Sequence, residues 1–271
     1  MARVRSQQRR DDILRLAMSA GPASVEDLSV RLGVTASTIR RDLAVLTSEG
    51  KLARTYGGAL SLEPHPETSL RERLGEAHEA KRTIGAWAAR QVKRGESVAL
   101  DAGSTTAALA EELKAFDRLT ITTIGLTTIE VLADAEHLDV VLLGGRLRHP
   151  SQSFVGPVTE AALDRMTFDR VFMGADGVLA DRGICEKDLE QTRLKELMMS
   201  RADHVYVLAH GAKLGYAPFH AWALLPPRWT LVTDASADPA QVRAFEDAGV
   251  TTVVLPVEGS EGTPAVASRS A

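Results

Sequence analysis

The chain has 271 residues, 44% hydrophobic and 25% charged, which suits a globular protein with room for two domains and a sizeable core. Its one cysteine, Cys185, excludes an internal disulfide framework; the seven histidines are scattered without zinc spacing, and no apolar run reaches membrane-spanning length. The net charge of −4 argues against nucleic acid, yet residues 1–60 hold ten Lys/Arg against six Asp/Glu, leaving 22 against 30 for the remainder. A basic module on an acidic body concentrates attraction for phosphate at one end.

Residues 7–20 place Ile13, Leu16, Ala17 and Ala20 at helical spacing, and Gly21-Pro22 ends the pattern. Ser24 caps a short second helix with Val25, Leu28 and Leu32 inward. Gly33-Val34 is a tight turn, and Thr35 caps a third helix that Gly50 stops. In that helix Ile39, Leu43 and Leu46 form one apolar stripe, while Ser37, Arg40, Arg41 and Ala44 lie opposite. Two arginines among small residues suit a helix entering a major groove. Residues 51–56 then alternate like a strand and end in Gly57-Gly58, a basic wing for the phosphate backbone. An amphipathic three-helix cap with a solvated arginine pair is the rival reading. The ordered set of helix, helix, turn, helix and wing favours DNA.

Residues 61–76 are polar, contain two prolines and read as a linker. A helix is expected over 77–93, with Ile84, Ala88 and Val92 on its apolar edge and Trp87 beside it. Strand-like runs follow at 98–100, 119–124, 140–143, 170–173, 204–208, 229–233 and 251–255. Helical runs lie between them, ending near 115 or spanning 127–133, 158–166, 189–201 and 239–248. This alternation predicts an α/β layer fold with a mainly parallel sheet. The domains read as 1–60 for DNA binding, 61–76 as linker, 77–256 as an α/β body and 257–271 as a disordered tail.

Ligands of such sheets sit at the carboxyl ends of strands. There Asp101-Ala102-Gly103-Ser104-Thr105-Thr106 joins a strand to a helix, with a glycine for close backbone approach and three hydroxyls beside a helix N-terminus. This is a phosphate cradle or simply a capped turn. It is neither a Walker loop nor a dinucleotide fingerprint, so no cofactor is expected. Gly144-Gly145-Arg146 and Gly174-Ala175-Asp176-Gly177 form similar turns, and His210 and Lys213 lie in a further loop.

With those residues in view, the chain resembles the DeoR family of bacterial transcriptional regulators along nearly its whole length. The segments that carry the likeness are TIRRDL from Thr38, YGGA from Tyr56, LDAGSTT from Leu100, LLGGRLR from Leu142, GADG from Gly174 and HGAKLG from His210. The resemblance implies a winged helix-turn-helix preceding an α/β sensor domain similar in fold to ribose-5-phosphate isomerase and the CoA-transferases. It implies DNA contacts from Ser37, Thr38, Arg40, Arg41, Arg54, Tyr56 and Gly57. It implies a phosphosugar pocket built from Asp101, Gly103, Ser104, Thr105, Thr106, Gly145, Asp176, Glu190 and Lys213. Three positions depart from the family's usual pattern: Tyr56 replaces a wing histidine, Thr123-Ile124-Gly125 replaces Thr-Asn-Ser, and Ala209 replaces an aspartate.

The expectation is therefore a repressor of sugar-metabolism genes, not an enzyme, that a phosphorylated sugar releases from a double-stranded operator. A polar, arginine-rich N-terminus without a signal-peptide core places it in the cytoplasm, away from membranes. The modest charge of one module calls for a homodimer or homotetramer. Two rivals are a sugar-phosphate isomerase or CoA-transferase fused to a DNA module, and a DNA-binder or activator without an effector.

Overall fold

The computed structural model describes residues 9–10, 12–13, 23–48, 52–55, 58–61 and 67–256. The chain divides into two compact units, Met1–Pro66 with Tyr216–Pro218, and Glu67–Gly215 with Phe219–Ala271.

In the first unit, residues 9–10 and 12–13 are helical, and the rest of the helix expected over 7–20 lies outside the described residues. Helix α1 (Val25–Leu32) and helix α2 (Ala36–Ser48) follow. Between them Gly33 turns the chain at φ +62°, a left-handed conformation that glycine adopts without strain, and Ser29 Oγ donates to the Val34 carbonyl at 2.6 Å. Ile13, Leu28, Ile39, Leu43 and Leu46 are buried together, with Val25, Leu32 and Val34 against them. The apolar stripe expected of α2 is thus the face that holds this small core. Strand β1 (Ala23–Ser24), β2 (Leu52–Thr55) and β3 (Gly58–Ser61) form an antiparallel sheet in the order β1-β3-β2, with Arg54 opposite Ala59 and Thr55 opposite Gly58. Ser24, expected as a helix cap, thereby lies in a strand that abuts α1.

The second unit opens with helix α3 (Leu70–Leu74), inside the segment expected to be a linker. One turn is too short to show a helical period. Its signal is the reciprocal cap: the Glu72 carboxylate accepts from the Ser69 backbone N–H at 2.8 Å, and Ser69 Oγ accepts from the Glu72 N–H. Leu70 is buried and its N–H donates to the Pro150 carbonyl at 2.8 Å, so this segment is packed. Helix α4 (His78–Ala89) follows.

Seven parallel strands form the central sheet: β4 (Ser97–Leu100), β5 (Thr120–Thr123), β6 (Asp139–Leu142), β9 (Phe168–Met173), β12 (Ala202–Leu208), β14 (Thr230–Asp234) and β15 (Thr251–Leu255). Between β6 and β9 runs an antiparallel ribbon, β7 (Arg146–Arg148) and β8 (Ser153–Val155). A smaller antiparallel sheet joins β10 (Gly177–Leu179), β11 (Gly183–Glu186) and β13 (Ala221–Ala223). Helices α5 (Ser104–Leu113), α6 (Leu126–Leu132), α7 (Pro157–Leu163), α8 (Leu189–Ser200) and α9 (Pro239–Asp247) fill the connections.

The strands are apolar on both faces because both are covered. Ala99, Val171, Met173, Val205 and Val207 pack into one cluster with Leu194, Met198 and Phe245. Their strand neighbours Val98, Leu100, Phe172, Tyr206 and Leu208 pack into the other with Ile84, Leu109 and Leu113. That double cover is the usual condition of a parallel sheet. Gly85 lets α4 meet α5: a Cβ there would lie 2.8 Å from the Ala108 backbone carbon.

The strand order is β15-β14-β12-β9-β4-β5-β6. From β4 the chain steps outward through β5 to β6, and from β9 it steps the opposite way. The order reverses between β4 and β9, and a crevice lies beyond the carboxyl ends of those two strands.

Candidate effector site and DNA interface

The crevice lies at that reversal. Its walls include Gly103, Ser104 and Thr105 after β4, Gly174 and Ala175 after β9, and Ala209, His210 and Lys213 after β12. Arg73, Glu76 and Lys81 close one side, and Glu186, Gln191 and Lys195 the other. Gly103 caps α5 without a side-chain hydrogen bond, so the N–H groups of the first turn are left for a ligand.

Beneath the crevice a buried ion cluster fixes the strand ends. Asp101 Oδ2 accepts from the Gly174 N–H at 2.9 Å and from Lys195 Nζ. Lys195 Nζ also donates to the Gly174 carbonyl at 2.9 Å and lies 3.1 Å from Glu186 Oε1. Burial pulls the Lys195 ammonium down, but the charges of Asp101 and Glu186 outweigh it and the net shift is upward. Glu186 is pushed up to about 8 by burial, helped by Asp176 and Asp101 and opposed by Lys195.

Around the mouth Arg73, Lys81 and Lys213 gather beside Glu76. Lys81 is lowered to about 8 by burial, opposed by Glu76, with Lys213 and Arg73 adding to the fall. Lys213 is lowered by burial against the pull of Asp176. His210 is held near 4 by burial and by Lys213 and Lys81, so its imidazole is neutral at pH 7. Cations that repel one another in a partly dry crevice gain most from an anion placed among them.

Of the expected effector residues, Gly103, Ser104, Thr105 and Lys213 line the crevice. Asp101 is fully buried in its floor. Thr106 is also fully buried, its hydroxyl donating to the Asp101 carbonyl at 2.8 Å and facing the Gly103 carbonyl at 3.0 Å, so it shapes the turn. Asp176 pairs with Arg73. Gly145 and Glu190 are not brought there. A Cβ on Gly145 would fall 2.3 Å from Thr159 Oγ1, so that glycine serves packing against α7. Glu190 pairs with Arg146 near the surface, while Gln191 and Lys195, one turn apart on α8, face the crevice.

Sequence reasoning missed Arg73, Lys81, Glu186, Gln191 and Lys195. None of them lies within a glycine turn, and only the fold gathers them. Ile124 is buried in the core, and Ala209 presents a methyl group where an aspartate was expected.

In the first unit Ser37, Arg40 and Arg41 are exposed on α2. Thr38 is half-buried, its hydroxyl 3.0 Å from that of Thr35, and its backbone N–H meets Thr35 Oγ1 at 3.4 Å. Asp42 is instead buried and accepts from Arg9 Nε at 2.6 Å, which braces α2 against the helical residues that include Arg9. Arg54 lies in β2, while Tyr56 and Gly57 fall outside the described residues. Among the described residues no helix is long and apolar enough to cross a membrane, and no cluster of His, Cys, Asp or Glu is arranged to hold a metal ion.

A helix-turn-helix joined to an α/β domain with a crevice at its switch point is the architecture of a DNA-binding regulator. Residues 9–65 match the DeoR-like helix-turn-helix domain and residues 76–235 the DeoR C terminal sensor domain. The chain belongs to the DeoR family of transcriptional regulators. It is 32% identical to the HTH-type transcriptional repressor GlcR of Bacillus subtilis strain 168 over 240 residues, 88% of this chain and 92% of the relative. It is 30% identical to the lactose phosphotransferase system repressor of Streptococcus mutans over 239 residues, 87% of this chain and 94% of the relative. Ribose 5 phosphate isomerase A of Neisseria gonorrhoeae superposes at a TM-score of 0.37 and 17% identity, covering 55% of each chain. The chain is a DNA-binding transcriptional regulator rather than an enzyme, and its relatives are named as transcriptional regulators or repressors.

Proposed function

We propose that a phosphorylated sugar binds the crevice at the β4/β9 reversal and releases this repressor from its operator. The observation that carries this is the convergence of the uncapped α5 N-terminus with Lys81, Lys213 and Arg73 around one crevice. Backbone N–H groups and several cations make a site for an oxyanion. Gln191 Oε1 and His210 Nε2, both buried without hydrogen-bond partners, supply polar atoms for sugar hydroxyls. Two of the relatives carry names that tie them to repression, one of them to a lactose phosphotransferase system. In this reading Ser104, Thr105 and Lys213 hold the phosphate, with Asp101 and Thr106 shaping the turn.

The DNA contacts are Ser37, Thr38, Arg40 and Arg41 from α2 and Arg54, Tyr56 and Gly57 from the wing. The DNA-binding part spans residues 1–60, and the sensor takes in 67–256. The protein acts as a homodimer or homotetramer, because one module carries too little charge to hold DNA alone. It works in the compartment that holds the DNA. Isothermal titration calorimetry with a panel of sugar phosphates tests the effector assignment. One member of the panel binds and its unphosphorylated counterpart does not; a crevice indifferent to the phosphate refutes the reading.

A further inference from the structure

Arg73 occupies an unusual place. Its Nη1 donates to Asp176 Oδ1, while its buried Nε has no hydrogen-bond partner. Its carbonyl accepts from Lys81 Nζ. Arg73 lines the crevice, yet it belongs to α3, the first helix of the second unit, which starts at residue 70 where that unit starts at Glu67. One short helix therefore both faces the effector and receives the chain arriving from the DNA-binding unit.

We infer that Arg73 reads the charge of the effector by exchanging Asp176 for the ligand's phosphomonoester, and that this exchange shifts α3. The inference rests on the phosphosugar reading above and deepens it. A phosphomonoester near neutral pH carries close to two negative charges and three acceptor oxygens, whereas Asp176 offers one charge. The guanidinium fork can engage two phosphate oxygens at once, and Nε then gains the partner it lacks. The ligand is thus better matched to Arg73 swung into the crevice than to Arg73 held on Asp176. Such differential affinity is what a ligand needs to shift an equilibrium. Helix α3 has only five residues; apart from the Asp176 pair, it is held by Lys81 Nζ on the Arg73 carbonyl, by Leu70 on Pro150 and by the Ser69 cap, with Glu67 on Arg148 just before it. The effector class that follows is the phosphomonoester; phosphodiesters and neutral sugars leave Arg73 on Asp176.

The test uses the full chain, fluorescence anisotropy on a labelled duplex from the promoter of its own gene, and thermal melts as a control. Arg73→Gln and Asp176→Asn each break the pair without any ligand. Both are expected to weaken duplex binding at least fivefold in ligand-free buffer. With ribose 5-phosphate or glucose 6-phosphate at millimolar concentration, Arg73→Gln is expected to lose most of whatever release the wild type shows. Wild-type duplex affinity in both folded, ligand-free variants overturns the inference whatever the effector is. Should Asp176→Asn fail to fold, Arg73→Gln alone decides. If both variants bind duplex weakly while no sugar phosphate affects the wild type, the ion-pair switch stands and only the effector assignment falls.

Discussion

Asp101 accepts the backbone N–H of Gly174 at 2.9 Å, and this bond closes the gap between β4 and β9 at the one place where the sheet reverses order. The same carboxylate holds Lys195, which is 1% exposed. The floor of the crevice is therefore an ion pair, and the stability of the sheet and the shape of the crevice depend on the same atoms.

Removing Asp101 leaves a buried ammonium beside Glu186, whose carboxyl burial pushes up to about 8 and so keeps largely protonated at pH 7. Asp101→Ala is expected to cost about 3–5 kcal/mol of folding stability, as when one member of a buried ion pair is deleted. Urea denaturation measures this directly. A loss below about 1 kcal/mol places the pair among the weak surface bridges and contradicts the description of the floor.

Glu186 gives this stability a pH dependence. Its folded value stands near 8, above the ordinary carboxyl value, so the folded protein holds a proton that the unfolded chain releases. Folding stability contributed by that proton is fully present at acid pH and is lost as pH rises from about 4.5 to about 8. Glu186→Gln is expected to flatten the decline over that window in melts taken at several pH values. An unchanged slope assigns the decline to other groups.

Lys81 gives ligand binding a pH dependence of its own. The ammonium is lowered to about 8, so raising pH through that value removes a positive charge from the crevice and weakens anion binding. Calorimetric titration with the bound sugar phosphate is expected to show affinity falling between pH 7 and 9. Lys81→Arg is expected to abolish most of the fall, since guanidinium keeps its charge. An equal fall in both proteins removes Lys81 from the site.

The proposed DNA-binding face of α2 is open to the same kind of test. Arg40→Ala and Arg41→Ala are each expected to weaken operator binding by about 1–3 kcal/mol, the range for loss of a good base or phosphate contact. Both side chains are exposed and lie opposite the Ile39 and Leu43 face, so melting should hardly change. Gel-shift affinity that stays at the wild-type level in both variants takes the recognition role away from α2.

Much of this was legible in the sequence wherever one element carries its own signal. The stripe of Ile39, Leu43 and Leu46 named the inner face of α2 because a helix repeats every 3.6 residues. The strands β4, β9 and β12 read as apolar runs because both faces of the sheet are covered. Ser104, Thr105 and Lys213 stood out by residue type beside glycine turns. The rest required contacts between distant segments. Lys195 reads as one more helical lysine until β4 brings Asp101 to it across 94 positions. Arg73 lay in a proline-containing stretch with no detectable period, and its helix is one turn long. Glu190 and Gln191 are adjacent, and only the helix orientation decides which of them faces the crevice. The ribbon β7–β8 and the small sheet β10-β11-β13 are too short for alternation to show.

Phosphate captured in the crevice of one unit is proposed to control DNA binding by the other. The most direct measurement is operator affinity of the intact protein, by fluorescence anisotropy at fixed salt, across a panel of sugar phosphates and their unphosphorylated counterparts. One phosphorylated sugar is expected to weaken operator binding more than about tenfold, equivalent to about 1.4 kcal/mol, its neutral counterpart to do nothing, and Lys213→Ala to blunt the response while sparing basal affinity. Operator affinity that stays constant across the whole panel, or a response that Lys213→Ala leaves intact, contradicts this proposal.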